Sequence, residues 1–390
     1  MDNLTHSLVG LVASKAGLER LSPGTTTLCV LAANAPDADI LALVFGGRWA
    51  FLHHHRGITH SLLGTLALAL ALPCIFYLGD ILRVRIRGRR SPGLKLRGLI
   101  VASLVVTATH PVMDWANNYG VRFLLPWNSK WFYGDFVFIV DPFIWLVLGG
   151  AAFLLTSKTR KHIIVWVIIA LVPSYLVLVG APGPNRLLHE VVLRLLWIVV
   201  LIILVTLYRR RIGGRLGAKI AIAGLATVTI YCAGLAVTHV VALRQAKIEA
   251  LSIANRNAEQ LFKVAAMPMI ANPAEWFCLM ETNRATYRFN LSLIHNRAGV
   301  RDLVGFERLE ASDQAIDEAS RDPRARIFLG FARFPAIRVV GEDCATQTLV
   351  QFADLRYTEP GRGRGTFSLD VPVDCPAEKS TNTNERRKSN

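Results

Sequence analysis

The chain has 390 residues, 52% of them hydrophobic, and 44 Lys and Arg against 28 Asp and Glu give a formal charge of +16. With a mean hydropathy of +0.38 it is too apolar for an ordinary soluble enzyme, and apolar runs of roughly 17–25 residues place most of residues 1–242 in a membrane. Much of the positive excess sits in short loops between those runs, which points to orientation in a bilayer and away from nucleic-acid binding.

In chain order, segments 4–20 and 27–45 are each apolar enough to enter a bilayer, and Ser22-Pro23-Gly24 between them is a turn signal. We read them as a helical hairpin dipping in from the outer side, which brings His6 to one mouth with Asp37 and Asp39, just after Pro36. A single crossing at 27–45 would instead leave His6 on the opposite side. The first stretch carries His6, Lys15, Glu19 and Arg20 without a basic region before it, so no cleavable signal peptide is expected.

A His-rich segment, His53 to His60, leads into six expected spans near 61–82, 98–113, 142–156, 163–180, 190–208 and 218–242. Three loops carry the basic charge: 83–97, with Arg83, Arg85, Arg87, Arg89, Arg90, Lys95 and Arg97; 157–162, with Lys158, Arg160 and Lys161; and 209–219, with Arg209, Arg210, Arg211, Arg215 and Lys219. They follow the first, third and fifth spans, so alternation puts them on one side, and the positive-inside rule makes that side cytoplasmic. The His-rich segment, the ends at His110 and Asp114, and everything after 242 then face outward.

The expected architecture is an all-α polytopic membrane bundle followed by a small β-rich (α+β) extracytoplasmic domain. Residues 1–60 form the hairpin and outer loop, 61–242 the six-span region, 243–267 a juxtamembrane helix, 268–375 the β-rich domain and 376–390 a disordered polar tail. Strand-forming runs lie at 286–294, 327–340, 348–357 and 366–373, and Arg333, Arg338 and Arg356 in them suit either solvated strand faces or lipid phosphates. Cys278, Cys344 and Cys375 allow at most one disulfide there.

The polar clusters carry the chemistry, because ionisable groups in membrane sequence are costly and mark functional interiors. His110 and Asp114, four residues apart on a helix, share a face and can grip one ion or simply hydrogen-bond each other; Pro111 suits a first helical turn. Asp37 and Asp39 repel each other unless a cation lies between them, or they cap the turn at Pro36. His55 and His60 bracket a turn in which Arg56 and Gly57 can hold an anionic group, while His53 and His54 read as a solvated loop. Asp135 suits a partner orienting a ligating histidine, and Asp141, before Pro142, a helix cap. The ligand pool is therefore His6, Asp37, Asp39, His55, His60, His110 and Asp114, with the less engaged of Asp37 and Asp39 as general base.

At these residues the chain resembles the YdjM-type family of inner-membrane putative metal-dependent hydrolases, also described as LexA-binding. The resemblance runs through Leu4-Thr5-His6, Ala35 to Asp39, His55 to Ser61, His110 to Trp115 and Tyr119-Gly120, and extends to Arg333-Phe334-Pro335 and Asp354 to Tyr357. It implies a bacterial inner-membrane hydrolase using one or two divalent ions, zinc foremost, with membrane lipids as partners and a link to LexA and the DNA-damage response. The order of His6, Asp37 or Asp39, His60 and the His110–Asp114 pair is also similar to zinc-dependent phospholipases C and related single-strand nucleases, whose later His-x-x-x-Glu pair is missing here. A site at lipid head-group height, together with this analogy, makes a phosphodiester or other lipid-linked ester the expected substrate. The rivals are a proton or metal transporter and a non-catalytic stress-response scaffold.

Overall fold

A computed structural model describes residues 1–88, 93–179, 187–270, 272–294, 300–308, 314–341, 348–363 and 365–373. Helix α1 (Asn3–Lys15) starts where the Asp2 carboxylate accepts the Thr5 amide, an N-cap that satisfies one orphan donor. After a turn through Gly17 and Gly24, α2 (Thr25–Asn34) runs back along it. The contacts show the antiparallel register: Ser14 against Thr26 at 2.7 Å, Gly10 against Cys29 and Ala33, and Ser7 against Asn34 at 2.9 Å. Gly10 is required there, because a Cβ would sit 2.5 Å from the Cys29 carbonyl oxygen.

A 3-10 turn, Ala35–Ile40, leads into α3 (Leu41–His54), interrupted at Gly47, and a second short turn, Ile58–His60, precedes α4 (Leu62–Arg87). Next come α5 (Leu96–Trp115), α6 (Pro142–Thr156), α7 (Arg160–Leu178), α8 (Leu187–Arg209), the short α9 (Ile212–Leu216) and α10 (Ala218–Arg256). Asp141 caps α6 as its position before Pro142 led us to expect, accepting the amides of Phe143 and Ile144. Pro111 departs from expectation: it lies near the end of α5, not in a first turn.

Six helical runs are long and apolar enough to cross a membrane: Thr25–His54, Leu62–Ile86, Leu96–Trp115, Arg160–Leu178, Val191–Arg209 and Ala218–Arg256. One member differs from the expected set. The run at 142–156 makes a helix of 15 residues, about 22 Å, short of the roughly 30 Å hydrocarbon core. The two polypeptide ends of the bundle are chemically distinct. At one end Lys15, Lys158, Arg209 and Arg211 line a common cleft, and Ser22 accepts the Lys95 amide at 2.9 Å. The opposite end holds the clustered His and Asp side chains.

The last span and the expected juxtamembrane helix are one 39-residue helix, α10, which stops at Arg256. Sheet structure therefore begins earlier than 268, with β1 (Leu261–Met269), which pairs antiparallel with β2 (Asn272–Thr282), followed by β3 (Ala285–Ser292) and β4 (Arg301–Glu307) in the order 1-2-3-4. The run expected as strand at 327–340 splits. Asp322 caps and Pro323 opens α12 (Pro323–Phe331), which follows α11 (Gln314–Arg321), so only β5 (Pro335–Val340) is strand. β5 joins β6 (Thr348–Asp354) and β7 (Ser368–Val373) in a second antiparallel sheet. The expected tail at 376–390, with Cys344 and Cys375, lies outside the described residues; Cys278 is a buried free thiol.

This domain sits on the His/Asp end of the bundle. Leu52 and Tyr119 join an apolar cluster with Phe328, Phe331, Phe352 and Val371. Arg356 is buried, pairs with Asp354 at 2.7 Å and donates to the Asn118 and Tyr119 carbonyls at 2.7 and 3.3 Å. Arg333 reaches Asp135 at 2.7 Å. Neither arginine is a solvated strand residue or free to meet a lipid phosphate; Arg338 alone of the three is exposed.

Replacing Gly10 with Leu should force α1 off α2 and destabilise the fold by about 1–3 kcal/mol, read by thermal denaturation in detergent. Gly79→Leu on the open face of α4, where a Cβ meets nothing within 4 Å, should stay within about 0.5 kcal/mol.

Candidate metal centre

Three segments deliver four ligand atoms to one point. The last turns of α5 present His110 and Asp114 on one face, the turn after Pro36 presents Asp37, and the turn before α4 presents His60. One oxygen of each carboxylate and one nitrogen of each imidazole lie within 4.8 Å of one another. His60, His110 and Asp114 are buried and Asp37 is partly open.

The protonation states follow from the outer contacts. His110 Nδ1 is 2.6 Å from the Ala33 carbonyl oxygen, which can only accept, so Nδ1 carries the proton and Nε2 a lone pair. His60 Nδ1 faces the Thr59 hydroxyl at 3.0 Å and the Asp39 carboxylate at 3.4 Å, so a proton on Nδ1 has an acceptor and leaves Nε2 free to act as a ligand. The two Nε2 atoms are 3.1 Å apart. Asp37 Oδ1 lies 3.4 and 3.5 Å from them, and Asp114 Oδ2 3.2 and 3.5 Å. With both imidazoles protonated on Nδ1, these are acceptors facing acceptors. Ligands about 2.0–2.1 Å from a tetrahedral ion such as Zn²⁺ stand roughly 3.3 Å apart, so the observed spacing fits a divalent cation at the centre. Burial also pulls the His60 imidazole down to about 4, holding it neutral as a ligand must be.

Asp114 is braced from the far side. Its Oδ1 meets the Met1 α-ammonium and His6 Nε2, the latter at 3.3 Å, and its Oδ2 lies 3.1 Å from Arg56 Nε. Arg56 is buried at φ +51, donates to the Asp114 carbonyl at 3.1 Å and Asn117 Oδ1 at 2.9 Å, and stacks on Tyr119. It therefore holds a carboxylate of the site in place and is not a free anion receptor. His6 stacks on His110 with centroids 3.7 Å apart, and both its ring nitrogens are buried without a hydrogen-bond partner, as is Asp114 Oδ2.

Asp37, Asp39 and His55 form a second compact group that shares Asp37 with the first. Here His55 Nδ1 is 3.1 Å from Asp39 Oδ1, while Asp39 Oδ2 accepts the Arg56 amide at 3.0 Å. Thus His6, Asp37, Asp39, His55, His60, His110 and Asp114 all meet at one end of the bundle. Asp135 does not orient a ligating histidine: it pairs with Arg333, at φ +58. The Met1 amine, Asn117 and Tyr119 went unassigned in the sequence. Only the polar run after Asp114 marked the last two, and no pattern marks a terminal amine that docks by tertiary contact.

The architecture is that of a multi-pass membrane protein with a buried His/Asp cluster that can hold a metal ion. The chain belongs to the YdjM inner membrane protein family, which it matches over residues 1–182, a stretch containing every residue of the cluster. Inner membrane protein YbcI of Escherichia coli (strain K12) is 31% identical over 165 residues, 41% of this chain and 82% of YbcI. Uncharacterized protein YfhP of Bacillus subtilis (strain 168) is 26% identical over 204 residues, 49% of this chain; the chain thus spans 58% of the length of YfhP. No solved structure matches the chain significantly.

Protein purified in detergent should carry a divalent metal by elemental analysis. His110→Ala should reduce it to background, and His6→Ala should weaken affinity about 10- to 100-fold. Asp135→Asn should leave metal content unchanged, since that residue serves the domain contact.

Proposed function

We propose that the protein is a metal-dependent hydrolase of the bacterial inner membrane, acting at the outer interface on a phosphodiester or other lipid-linked ester. The observation that carries this is the meeting of two imidazole nitrogens and two carboxylates, 3.1–3.5 Å apart where measured, in a largely buried space. A divalent ion held there supplies Lewis acidity toward a phosphoryl or carbonyl oxygen. His60 and His110 hold their tautomers through Thr59, Asp39 and the Ala33 carbonyl, and Arg56 fixes Asp114. Asp37 is the candidate general base: it is 13% exposed where Asp39 is 4%, and the Asp39 oxygens are already taken by His55 and Arg56. Orientation rests on charge. The basic ends of α1, α6 and α8 lie away from the cluster, and the positive-inside rule makes them cytoplasmic, leaving the cluster and sheet domain outside.

A transport role is the second reading. It is favoured by Ser103 and Thr107, buried on α5 on the basic side of His110, with hydroxyls that lack a partner. Hydroxyls alone do not carry a metal ion through a helix interface, so we place it second.

With Zn²⁺ or Mn²⁺ added, the purified protein should hydrolyse a panel of fluorogenic phosphodiester or lipid-ester substrates, and Asp37→Asn should lower kcat by about 10²-fold or more. Metal-dependent ion flux in proteoliposomes without any hydrolysis would favour the transporter instead.

A further inference from the structure

Helix α1 works on two faces. Leu4 and Leu8, one turn apart, share a face, while His6 lies about 200° round the helix from Leu4. His6 meets the metal cluster. Leu4 and Leu8 line a cavity of about 270 Å³ whose other walls are α6, α7 and α8. Along α6 it extends from Trp145 to Phe153, about 12 Å at 1.5 Å per residue. It is therefore a slot parallel to the helices.

Among the described residues, no charged, amide or hydroxyl side chain lines this slot. Three tryptophans do, and each indole N–H is committed elsewhere: Trp145 to Asp2 and to the Thr5 hydroxyl at 2.9 Å, Trp166 to Thr156 at 2.7 Å, Trp197 to Ser174 at 3.1 Å. What remains facing inward is hydrocarbon. A cavity without polar partners does not hold ordered water, and the walls include two helices long enough to cross a bilayer, α7 and α8. At that depth the abundant apolar solute is the lipid chain. The slot is also tied to the cluster. Trp145 anchors Asp2 and Thr5, and the neighbouring Met1 amine rests on Asp114.

We propose that this slot takes one hydrocarbon chain of a membrane lipid, with the polar head held toward the metal cluster. That the lipid is the substrate rests on the hydrolase reading above; that its chain binds here does not.

The full chain, purified in mild detergent and supplied with dioleoyl phosphatidylglycerol, should retain one phospholipid per chain in native mass spectrometry. Gly149→Leu and Ala170→Leu fill the slot, since a Cβ on Gly149 meets only the tip of Leu8 at 4.0 Å. Each should lower the lipid-bound fraction at least tenfold with metal content and circular dichroism unchanged. In the unmodified protein, a phosphatidylglycerol bearing a diazirine on its acyl chain should label Leu8, which at 3% exposure is shielded from the surrounding bilayer. Equal retention in parent and filled variants, retention of detergent alone, or labelling that spares Leu8 would each overturn the proposal. Removal of the metal by a chelator separates the two readings: lipid should stay bound, and a failure to find hydrolysis would leave the bound lipid in place.

Discussion

The first half of the fold is organised around a crowding of carboxylates and imidazoles that a bound cation would relieve. Two carboxylate oxygens and two unprotonated imidazole nitrogens share a buried volume less than 5 Å across. At an effective dielectric of 20, two full negative charges 4.8 Å apart repel by about 3–4 kcal/mol, and the lone pairs add to that. The His110 proton is turned outward to the Ala33 carbonyl, and His60 Nδ1 also faces outward, to Thr59 and Asp39. These outer contacts favour inner nitrogens that are free to bind a positive charge. The chain's own cations do not substitute. Arg56 and the Met1 amine touch Asp114, and no ion pair joins either of them to Asp37 among the described contacts.

That constraint explains the shape of the first 115 residues. His6, Asp37, His60 and Asp114 come from four separate segments, so α1 must fold back against α2, and α2 must lie against α5. Small residues allow the approach: Gly10 against Cys29 and Ala33, and the cluster of Cys29, Ala32, Ala33 and Ala102 between α2 and α5. At the turn before α4, Gly64 leaves room for the Ile58 carbonyl, which a Cβ would meet at 1.8 Å. The helices are pinned close together, and the polar groups at their ends inherit that precision.

Much of this was legible in the sequence, and the failures have physical causes. The ligand pool was visible because His and Asp are conspicuous in apolar runs, and i, i+4 spacing places His110 with Asp114. The hairpin was legible from Ser22-Pro23-Gly24. The tautomers were not, since they depend on a carbonyl, Ala33, that every residue possesses. Asp135 was misassigned because a carboxylate near histidines in sequence has no way of revealing that an arginine 198 positions later will claim it. Local patterning also mistook Ile327–Phe331 for strand, where the Asp322-Pro323 cap outweighs the β-prone residues after it, and hydropathy did not show that 142–156 would be a helix shorter than the other apolar runs. The burial of Arg356 and the pairing of Arg333 with Asp135 are likewise tertiary facts.

The sheet domain stands in a particular relation to the centre. The family match ends at residue 182, and every residue of the cluster falls before it, so among the described residues the later domain supplies no ligand. It touches the ligands at one remove instead: Arg356 holds the Tyr119 carbonyl, the Tyr119 ring supports Arg56, and Arg56 holds Asp114. Phe331, Tyr357 and Phe367 pack around that same Tyr119. A domain so placed can stiffen the bracing of one carboxylate and shield one side of the cluster without altering the donor set. The candidate ligands and the contacts that brace them therefore come from different parts of the chain.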